Sequence, residues 1–455
     1  MFDIKGKKVL VVGLGASGYA AARFLAKSGA SIKISEQIDS VAVRQRLDAL
    51  VAYNVEFQLG APKPDFCRAA EMVVISPGVD AASPELLAAL RRGIPVIGEM
   101  ELGFRYCKAP VVAITGTNGK TTTTELIGKI IAVSGKHTVV CGNIGNPLTG
   151  EVDNLTPDSV AVVETSSFQL ETVETFKPKV SVLLNVTEDH YDRHGDLDKY
   201  KVAKFRVFEK QDTSDWAVLN SSFRGDPLLD GILSRKLFFG LEGSEDSYVK
   251  DGWLVVKFGG VESRIMKWDE VDLEGAHNME NVACAALVAR VMGVGDQFIR
   301  EGIRTFKGLG HRFERIGMHA GIEYIDDSKG TNIDATKRAL ESIGKKVILI
   351  AGGRDKGGDY ASVNDIVKKK VKTMVLIGEA TEKMKRVYST VVPVIAAKDM
   401  KDAVRLASVA AEPGDAVLLS PMCSSFDMFT SYKERGEVFQ REVRELYRSA
   451  SLKAY

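Results

Sequence analysis

Cysteine is scarce in this chain, and the few cysteines are scattered along it. The 455 residues contain five, with no CxxC pair and no cysteine–histidine cluster: Cys67, Cys107, Cys141, Cys284 and Cys423. An odd number at such spacing argues against a disulfide framework and against a structural zinc site. We therefore expect reduced, mostly buried thiols of the kind found in cytoplasmic proteins.

Long apolar runs and an excess of one charge are also lacking. The longest apolar stretches, such as 111–114 and 347–351, fall far short of the ~20 residues that span a bilayer. Lys+Arg 61 against Asp+Glu 60 leaves a net charge of +1, which gives no global attraction to nucleic acid or to an anionic membrane. The first residues show no apolar segment with a cleavage site, which predicts no secretory signal. The expected location is the cytoplasm, without nucleic-acid or membrane partners.

The composition is that of a globular protein, with 45% hydrophobic and 27% charged residues. At roughly 150 residues per domain, the length indicates about three domains. Short β-branched runs alternate with helical stretches, the pattern of parallel α/β sheets, whose ligands gather at the carboxyl ends of the strands. The prediction is three successive α/β domains, with Rossmann-like first and third domains and a P-loop-type centre: 1–98, 99–305 and 306–455.

The expected elements follow from these patterns. Strands are predicted at 8–12, 31–35, 72–75, 111–115, 160–164, 180–185, 323–325, 346–351, 374–377 and 416–420. Helices are predicted at 17–28, 120–134 and about 279–292, the last of which closes the second domain. Short alternating segments around Asp-Gly and Gly-Gly between 236 and 267 predict antiparallel hairpins.

A glycine-rich turn between a predicted strand and a predicted helix carries the strongest chemical signal. Thr115-Gly116-Thr117-Asn118-Gly119-Lys120-Thr121-Thr122 places backbone N–H groups and a helix N-terminus where they can bind phosphate. Lys120 would reach the terminal phosphates, and the Thr121 hydroxyl would bind Mg²⁺. The strict P-loop pattern is not met, because Ile114 occupies the position of its first glycine.

A second glycine motif lies near the N-terminus. Gly13-Leu14-Gly15-Ala16-Ser17-Gly18, with Glu36 at the end of the next strand, has the form of a dinucleotide fingerprint. Alone it is a weak signal, because the same turn can hold any nucleotide diphosphate. Two nucleotide-type motifs in one chain favour ATP at one and a nucleotide-linked substrate at the other.

Acidic residues and a histidine follow two strands of the predicted central sheet. Glu164 ends one strand, and Thr187-Glu188-Asp189-His190 follows another. A carboxylate and a neutral imidazole at such strand ends can hold a divalent metal that bridges ATP phosphates. The placement favours a functional Glu164 and His190.

Together these motifs resemble the Mur ligase family, the ATP-dependent amino-acid-adding enzymes of peptidoglycan synthesis. The residues that carry the resemblance are 116–121, 164–170, 185–190, His277-Asn278 with Asn281, His311-Arg312-Phe313-Glu314 and 326–332. Within the family, Ser-Ser-Phe-Gln-Leu at 166–170 and the segment 419–427 resemble the D-glutamate-adding branch, and the Asp-Asn-Pro-Arg segment of the diaminopimelate-adding branch does not occur.

The resemblance implies a reaction and a set of ligands. The alanine carboxylate of UDP-N-acetylmuramoyl-L-alanine would attack the γ-phosphate of ATP, and the amine of D-glutamate would displace phosphate from the resulting acyl phosphate. Cations must then dominate the reacting centre. The implied cofactors are ATP, two Mg²⁺ ions and a carbamate on a lysine, and the implied assembly is a monomer.

The same resemblance assigns residues to each ligand. Catalytic roles fall to Lys120, Glu164, His190 and Lys204, and metal ligation to Thr121, Glu164, His190 and Lys204. ATP is assigned to Gly116, Thr117, Asn118, Gly119, Lys120, Thr121, Thr122, Asn143, Asn281, Arg312, Asp327 and Lys329. The UDP substrate is assigned to Gly15, Ala16, Ser17, Glu36, Ser76, Gly78 and Asn143, and D-glutamate to Thr331, Lys356, Ser425, Phe426 and Tyr432.

Lys204 corresponds to the lysine that this family carbamylates. An ordinary lysine has a pKa of ~10.4 and would repel a neighbouring metal ion, whereas a carbamate is an anion that can bind it. Sequence alone does not distinguish Lys204 from the nearby Lys199, Lys201 and Lys210; the alignment to the family does.

Three other functions remain open at this level. A folate polyglutamylating enzyme shares the phosphate loop, but it lacks a UDP-binding first domain and so does not account for the N-terminal glycine motif. An NAD-dependent oxidoreductase would not need the second loop at 116–121. A binding-only nucleotide switch would not need the acids and lysines of a metal site. The amide-forming ligase accounts for the N-terminal glycine motif, for the loop at 116–121 and for the acids and lysines of the metal site.

Overall fold

The computed structural model describes residues 3–80, 82–273 and 275–451, which form two compact units. The first unit comprises residues 3–185, 201–270 and 280–305, and the second comprises 186–200, 271–279 and 306–451. The predicted first and third domains also include residues 1–2 and 452–455, which lie outside the described residues. No helix in the described ranges is long and apolar enough to span a bilayer.

The first unit begins with a sheet of five parallel strands in the order β3-β2-β1-β4-β5. Its strands are β1 Lys8–Val12, β2 Ser31–Glu36, β3 Glu56–Leu59, β4 Met72–Ile75 and β5 Val96–Gly98. Its helices are α1 Ala16–Lys27, α2 Val41–Asp48, α3 Pro84–Arg91 and α4 Glu99–Tyr106. The continuous apolar runs of β1 and β4 are buried, as expected for parallel strands covered by helices on both faces.

The second sheet, also in the first unit, has nine strands in the order β14-β13-β12-β11-β10-β9-β6-β8-β7. Its strands are β6 Val111–Thr115, β7 Thr138–Gly142, β8 Val160–Glu164, β9 Val180–Leu183, β10 Trp216–Asn220, β11 Arg235–Gly240, β12 Ser247–Lys250, β13 Trp253–Phe258 and β14 Val261–Lys267. The helices over this stretch of chain are α5 Lys120–Val133, α6 Leu148–Glu151, α7 Ser167–Leu170, α8 Tyr191–His194, α9 Leu197–Phe205, α10 Ala276–Val291 and α11 Asp296–Arg304. The chain passes between the two units within α9 and within α10.

The third sheet belongs to the second unit and has six strands in the order β15-β16-β20-β17-β18-β19. Its strands are β15 Glu314–His319, β16 Ile322–Asp326, β17 Val347–Gly352, β18 Val371–Ile377, β19 Val394–Ala396 and β20 Ala416–Leu419. Its helices are α12 Ile333–Ser342, α13 Asn364–Lys370, α14 Thr381–Tyr388, α15 Met400–Ala410 and α16 Tyr432–Ser451. Only β15, at the edge, runs antiparallel to its neighbour among the described strands of this sheet.

The antiparallel hairpins predicted between 236 and 267 are confirmed at the two turns that indicated them, because β12 with β13 and β13 with β14 pair antiparallel on either side of Asp251-Gly252 and Gly259-Gly260. The start of the segment differs, because β11 pairs in parallel with both β10 and β12. The last residues of β11 pair with the first residues of β12, and the two strands run in the same direction. In the short connection between them, the Glu245 carboxylate accepts the N–H groups of Glu242 and Gly243. Within the described strands of this second sheet, antiparallel pairing is confined to β12, β13 and β14. The helix predicted at about 279–292 is followed by α11, so it does not close the domain.

Two buried carboxylates at the start of α4 join the first two sheets within the first unit. Glu99 Oε1 accepts hydrogen bonds from the backbone N–H and the hydroxyl of Thr149, both at 2.7 Å. Glu101 accepts the N–H and hydroxyl of Thr175. Complete burial raises the pKa of Glu99 to about 7, partly offset by the bonds from Thr149. The connection between these two sheets is therefore polar and buried.

Candidate active site

The central glycine turn has the geometry of a phosphate-binding loop. It follows β6, whose five residues are all buried, and leads into α5 at Lys120. Gly116 and Gly119 have φ angles of 150° and 83°, which favour glycine. A Cβ at Gly119 would lie 2.5 Å from Asn281 Oδ1, so a side chain there would collide with a buried amide. The 14-residue α5 begins directly after Gly119, so the loop lies at the N-terminus of this helix.

Two asparagines from distant parts of the chain fix this loop. The carbonyl of Asn185 accepts the Thr117 N–H at 2.9 Å, and its side-chain oxygen accepts the Asn118 N–H at 2.8 Å. Asn281 Oδ1 accepts the Thr123 hydroxyl at 3.2 Å. Asn281 was predicted as an ATP contact, and the structure places it against the loop and the first turns of α5. The role of Asn185 was not predicted from the sequence, although its position after β9 was a signal.

Two lysine ammonium groups converge on the same loop carbonyl. Lys120 Nζ donates to the carbonyls of Gly116 and Thr117, each at 2.8 Å. Lys204 Nζ, from α9, donates to the carbonyl of Gly116 at 2.7 Å, and the Lys204 residue is 1% exposed. The structure thus selects Lys204 from the neighbouring lysines as the one that lies against the phosphate loop. Two cations at one turn create a strong local preference for anions.

A buried carboxylate lies at the end of the strand beside β6. Glu164 is 2% exposed and pairs with Ile114 in the parallel register of β6 and β8. Its Oε1 accepts Asn143 Nδ2 at 2.8 Å, and its Oε2 has no hydrogen-bond partner among the described residues. An unpartnered buried carboxylate oxygen is a donor atom that suits Mg²⁺, as does the hydroxyl of Thr121 in the first turn of α5. These residues fit a magnesium ion bound with ATP.

The N-terminal glycine loop connects β1 to α1. Gly13 has a φ of 83°, and a Cβ at Gly18 would lie 1.8 Å from the Gly13 carbonyl oxygen, so α1 packs directly on the turn. The Ser76 hydroxyl donates to that carbonyl at 2.9 Å. Gly15 is the N-cap of α1, and as a glycine it offers no side chain to the N–H groups of the first turn. These N–H groups can bind a phosphate.

A pocket of about 450 Å³ opens beside this loop. It is lined by all but one of the residues predicted for the UDP substrate, namely Gly15, Ala16, Ser17, Glu36, Ser76 and Gly78. The exception is Asn143, which is bonded to Glu164 at the central loop. Both oxygens of Glu36 accept backbone N–H groups, from Leu14 at 2.5 Å and from Ile38 at 2.9 Å. Glu36 therefore ties the glycine loop to the end of β2.

The second unit contains its own cavity of about 180 Å³, lined among others by His190, Asp189, Asn332 and Lys356. Asp189 organises one wall: its carboxylate accepts Asn332 Nδ2 at 3.1 Å and lies 3.5 Å from Lys356 Nζ. His190 has a φ of 54° and caps α8, with Nε2 3.7 Å from the same carboxylate. The cavity thus brings together the predicted His190 and Lys356, and it adds Asp189 and Asn332, which had no assigned role.

A buried acid organises the loop after β16 in the second unit. Asp327 accepts the Ser420 hydroxyl at 2.7 Å and the Phe313 N–H at 3.3 Å. Burial raises the pKa of Asp327 to about 7, against the opposing effects of the Ser420 bond and the Arg312 charge. The predicted ATP residues Arg312 and Asp327 are therefore electrostatically coupled.

Among the predicted residues of this region, Lys329 contacts both Thr331 and Tyr432. Lys329 Nζ lies 4.0 Å from the centroid of the Tyr432 ring, and the Thr331 N–H donates to the Lys329 carbonyl at 2.7 Å. Buried Arg435 fixes the loop by donating to Ser328 and to the carbonyl of Cys423. The cation–π contact between Lys329 and Tyr432 links a predicted ATP residue to a predicted D-glutamate residue.

The remaining D-glutamate candidates lie outside the 180 Å³ cavity. Ser425 is 2% exposed and begins a turn in which its carbonyl accepts the N–H groups of Met428 and Phe429. Phe426 is 63% exposed. Ser425, Phe426, Thr331 and Tyr432 are not among the described residues that line the cavity with Lys356.

Comparison with protein families finds three matches along the chain. Residues 7–98 match the model described as Mur ligase MurD-like, N-terminal domain. Residues 114–289 match the Mur ligase middle domain, and residues 311–423 match the Mur ligase, glutamate ligase domain. The three matches follow one another in the order of the three sheets.

Curated relatives match over almost the whole chain. A protein of Pelotomaculum thermopropionicum is 44% identical over 98% of this chain and 99% of its own length. Proteins of Koribacter versatilis and Geobacter metallireducens are 41% and 42% identical, each over 98% of both chains. All three relatives are named UDP-N-acetylmuramoylalanine–D-glutamate ligase. These names agree with the amide-forming ligase predicted from the sequence and not with the folate or oxidoreductase alternatives.

Solved structures share the fold at low sequence identity. The MurF ligase of Thermotoga maritima in complex with ADP aligns with a TM-score of 0.60 at 16% identity, over 97% of this chain and 96% of that one. The UDP-N-acetylmuramate-alanine ligase MurC of the same organism aligns with a TM-score of 0.59 at 17% identity, over 97% and 99%. The predicted architecture of three successive α/β domains is confirmed.

Proposed function

Because the chain belongs to the Mur ligase family, we propose that it joins D-glutamate to UDP-N-acetylmuramoyl-L-alanine and converts ATP to ADP and phosphate in the same reaction. The observation that carries the proposal is the 44% identity to a ligase of that name over 99% of the relative's length. The chain is an enzyme, an ATP-dependent ligase of this family. The choice of D-glutamate and of the muramoyl substrate is the proposed part.

The reaction we propose has two steps. A carboxylate oxygen of the alanine attacks the γ-phosphorus of ATP, ADP leaves, and an acyl phosphate forms. The D-glutamate nitrogen then attacks the acyl carbon, the C–O bond to phosphate breaks, and the amine loses a proton. Both steps bring anions together, so positioned cations supply much of the stabilisation.

The central loop is the proposed ATP site. Backbone N–H groups of Gly116–Thr122 would bind the phosphates, with Lys120 at the terminal phosphates. Thr121 and Glu164 would hold Mg²⁺, and the unpartnered Oε2 of Glu164 supports this assignment. When bound, Mg²⁺ neutralises phosphate charge and orients the γ-phosphate. Asn143 and Asn281 in the first unit, and Arg312, Asp327 and Lys329 in the second, remain proposed nucleotide contacts.

Lys204 is proposed to act as a carbamate. Its burial and its position against the Gly116 carbonyl support a role at the phosphate loop. An unmodified ammonium there would oppose a second Mg²⁺, whereas a carbamate would add an oxygen ligand. His190, in the second unit, is the further proposed metal ligand.

The other two substrates are proposed to bind in the remaining pockets. The 450 Å³ pocket beside the N-terminal loop suits a nucleoside diphosphate, with phosphates on the first turn of α1. Lys356, with Thr331, Ser425, Phe426 and Tyr432, is proposed for D-glutamate, since a cation and hydroxyls suit two carboxylates. We further propose a monomeric cytoplasmic enzyme without nucleic-acid partners, with domains at 1–98, 99–305 and 306–455.

Phosphate release measures this function directly. Purified protein should release phosphate and ADP from ATP only when UDP-N-acetylmuramoyl-L-alanine and an amino acid are both present. In a panel of amino acids, D-glutamate should give the highest rate, with L-glutamate and L-lysine as the informative comparisons. Release of AMP and pyrophosphate, or an equal rate with L-lysine, would contradict the proposal.

A further inference from the structure

The N-terminal pocket has a buried carboxyl group that the predicted site does not use. Glu85, in the first turn of α3, is 1% exposed and lines the 450 Å³ pocket. The hydroxyl of Ser35, also 1% exposed, donates to Glu85 Oε2 at 2.9 Å. The other oxygen, Oε1, is buried and has no hydrogen-bond partner among the described residues. A buried carboxylate oxygen without a donor is costly and indicates that something else supplies the donor.

Glu85 Oε1 differs from the oxygens of Glu36 in accepting no hydrogen bond from the described residues. Glu36, which was assigned to the UDP substrate, accepts one backbone N–H at each oxygen, from Leu14 and Ile38. Glu36 therefore has a structural task in closing the glycine loop. Of the two glutamates that line the pocket, Glu85 is the one with an unused oxygen.

The pocket has two chemically different ends. The first turn of α1, at Ala16 and Ser17, presents N–H groups that suit phosphate. Asp80 and Glu85 on other parts of the lining present acceptors, which suit N–H and O–H groups. A nucleoside diphosphate has this polarity, because its phosphates accept hydrogen bonds whereas its base and sugar carry donors. Burial raises the pKa of Glu85, the Ser35 hydrogen bond opposes this, and the charge of Glu36 adds a smaller rise.

We infer that Glu85 is a specificity-determining residue that accepts a hydrogen bond at Oε1 from a donor of the uridine moiety, with Ser35 holding its other oxygen. The donor is either the imide N–H of uracil or a ribose hydroxyl, and both share the chemistry of a neutral donor facing a carboxyl oxygen. This inference rests on the proposed function, because it assumes that the pocket binds a uridine nucleotide.

Calorimetric titration with UDP tests the assignment. Glu85→Ala should weaken UDP binding by roughly 10- to 100-fold, the loss expected for a hydrogen bond to a charged or strongly polar group. Binding of ADP to the central loop should be unchanged, which checks that the variant is folded. Glu56→Gln, an exposed carboxylate on β3 that is ion-paired with Lys33, is the matched control and should bind UDP as the wild type does.

Nucleotide analogues with the wild-type protein identify the donor without any variant. N3-methyl-UDP lacks the imide N–H, and 2′-deoxy- and 3′-deoxy-UDP each lack one ribose hydroxyl. One of the three should bind to the wild type about as weakly as UDP binds to Glu85→Ala, and its penalty should largely disappear in that variant.

The outcomes separate this assignment from the function on which it rests. If the wild type binds UDP and Glu85→Ala binds it equally well, the assignment is overturned while the proposed function stands. The same holds if all three analogues bind to the wild type as tightly as UDP. If the wild type does not bind UDP at all, the proposed function fails, and the assignment fails with it.

Discussion

The two glycine loops of the first unit share a backbone design and differ in the charges around it. Each follows a buried parallel strand, β1 or β6, contains glycine with positive φ (Gly13 in the first loop, Gly116 and Gly119 in the second) and leads into a helix. The central loop has the Lys120 ammonium on its Gly116 carbonyl, together with Lys204, the proposed carbamate, on the same carbonyl. The N-terminal loop has no lysine within Gly13–Gly18, and the lining of its pocket includes Glu36 and Glu85.

This difference indicates what each loop can do with a nucleotide. Backbone N–H groups at a helix N-terminus suffice to hold phosphates in place. Cleavage of a phosphate bond also requires cations that stabilise the developing charge. The central loop is thus suited to a nucleotide whose phosphate bond is cleaved. The N-terminal loop is suited to a nucleotide that is the unreactive, binding part of a substrate.

Removing the loop lysine gives the largest expected effect. Lys120→Ala should lower kcat by roughly 10²- to 10³-fold, because a positioned cation at the terminal phosphates is lost. UDP binding to the N-terminal pocket should be unchanged. The control is Lys129→Ala, an exposed lysine on the same helix. Product formation by Lys120→Ala at the wild-type rate would contradict the assignment of the reacting nucleotide to the central loop.

The second lysine of the central loop should be nearly as sensitive. Lys204→Ala should reduce phosphate release by roughly 10²-fold or more, because a group at the reacting centre is lost. Short-chain carboxylates such as acetate should partly restore the rate if the active group is a carbamate. Lys199→Ala, which alters an exposed lysine on the same helix, is the control. Absence of any rescue would count against the carbamate.

The N-terminal loop can be disturbed through its close packing. Gly18→Ala places a Cβ 1.8 Å from the Gly13 carbonyl oxygen, so the loop or α1 must shift. We expect a higher KM for the UDP substrate, an unchanged KM for ATP and a loss of about 1–3 kcal/mol in the free energy of unfolding. Gly231→Ala, where a Cβ meets open space, is the control. A rise in the KM for ATP alone would contradict the assignment of the two loops.

The smallest expected effect concerns Glu99, one of the two buried carboxylates that join the first and second sheets. The pKa of Glu99 is raised from an ordinary 4.5 to about 7, so the folded protein favours the protonated acid. As pH rises from about 4.5 to about 7, the wild type therefore loses the stability that protonated Glu99 contributes, and Glu99→Gln lacks this loss because its amide does not titrate. The Tm of the variant minus that of the wild type should increase through this window and level off above it. Parallel Tm curves across the window would show that Glu99 titrates normally.

Local patterns predicted much of the fold and of the central site. Strands such as Val111–Thr115 and Val160–Glu164 agree with their predicted bounds, because an apolar run bounded by turn residues is a short-range signal. The phosphate loop was likewise visible, since strand, glycines, lysine and helix are contiguous. The succession of three α/β domains was predicted because short β-branched runs alternate with helical stretches along the whole chain.

What the sequence did not predict depends on contacts between distant residues. Asn185 and Asp189 acquire their roles by meeting Asn118 and Lys356, which lie far away in the chain. The parallel step from β11 to β12 depends on pairing that the Gly-rich pattern does not specify. Glu85 was missed because an acid in the first turn of a helix usually faces solvent, and only the tertiary structure buries it.

The independence of the two proposed nucleotide sites tests the account most directly. In calorimetry, UDP should bind to wild-type protein saturated with ADP with one site per chain and an affinity close to that for the free protein. Lys120→Ala should lose ADP binding and retain UDP binding. Competition between UDP and ADP for a single site, or loss of both nucleotides in Lys120→Ala with an unchanged Tm, would contradict the assignment of one nucleotide to each loop.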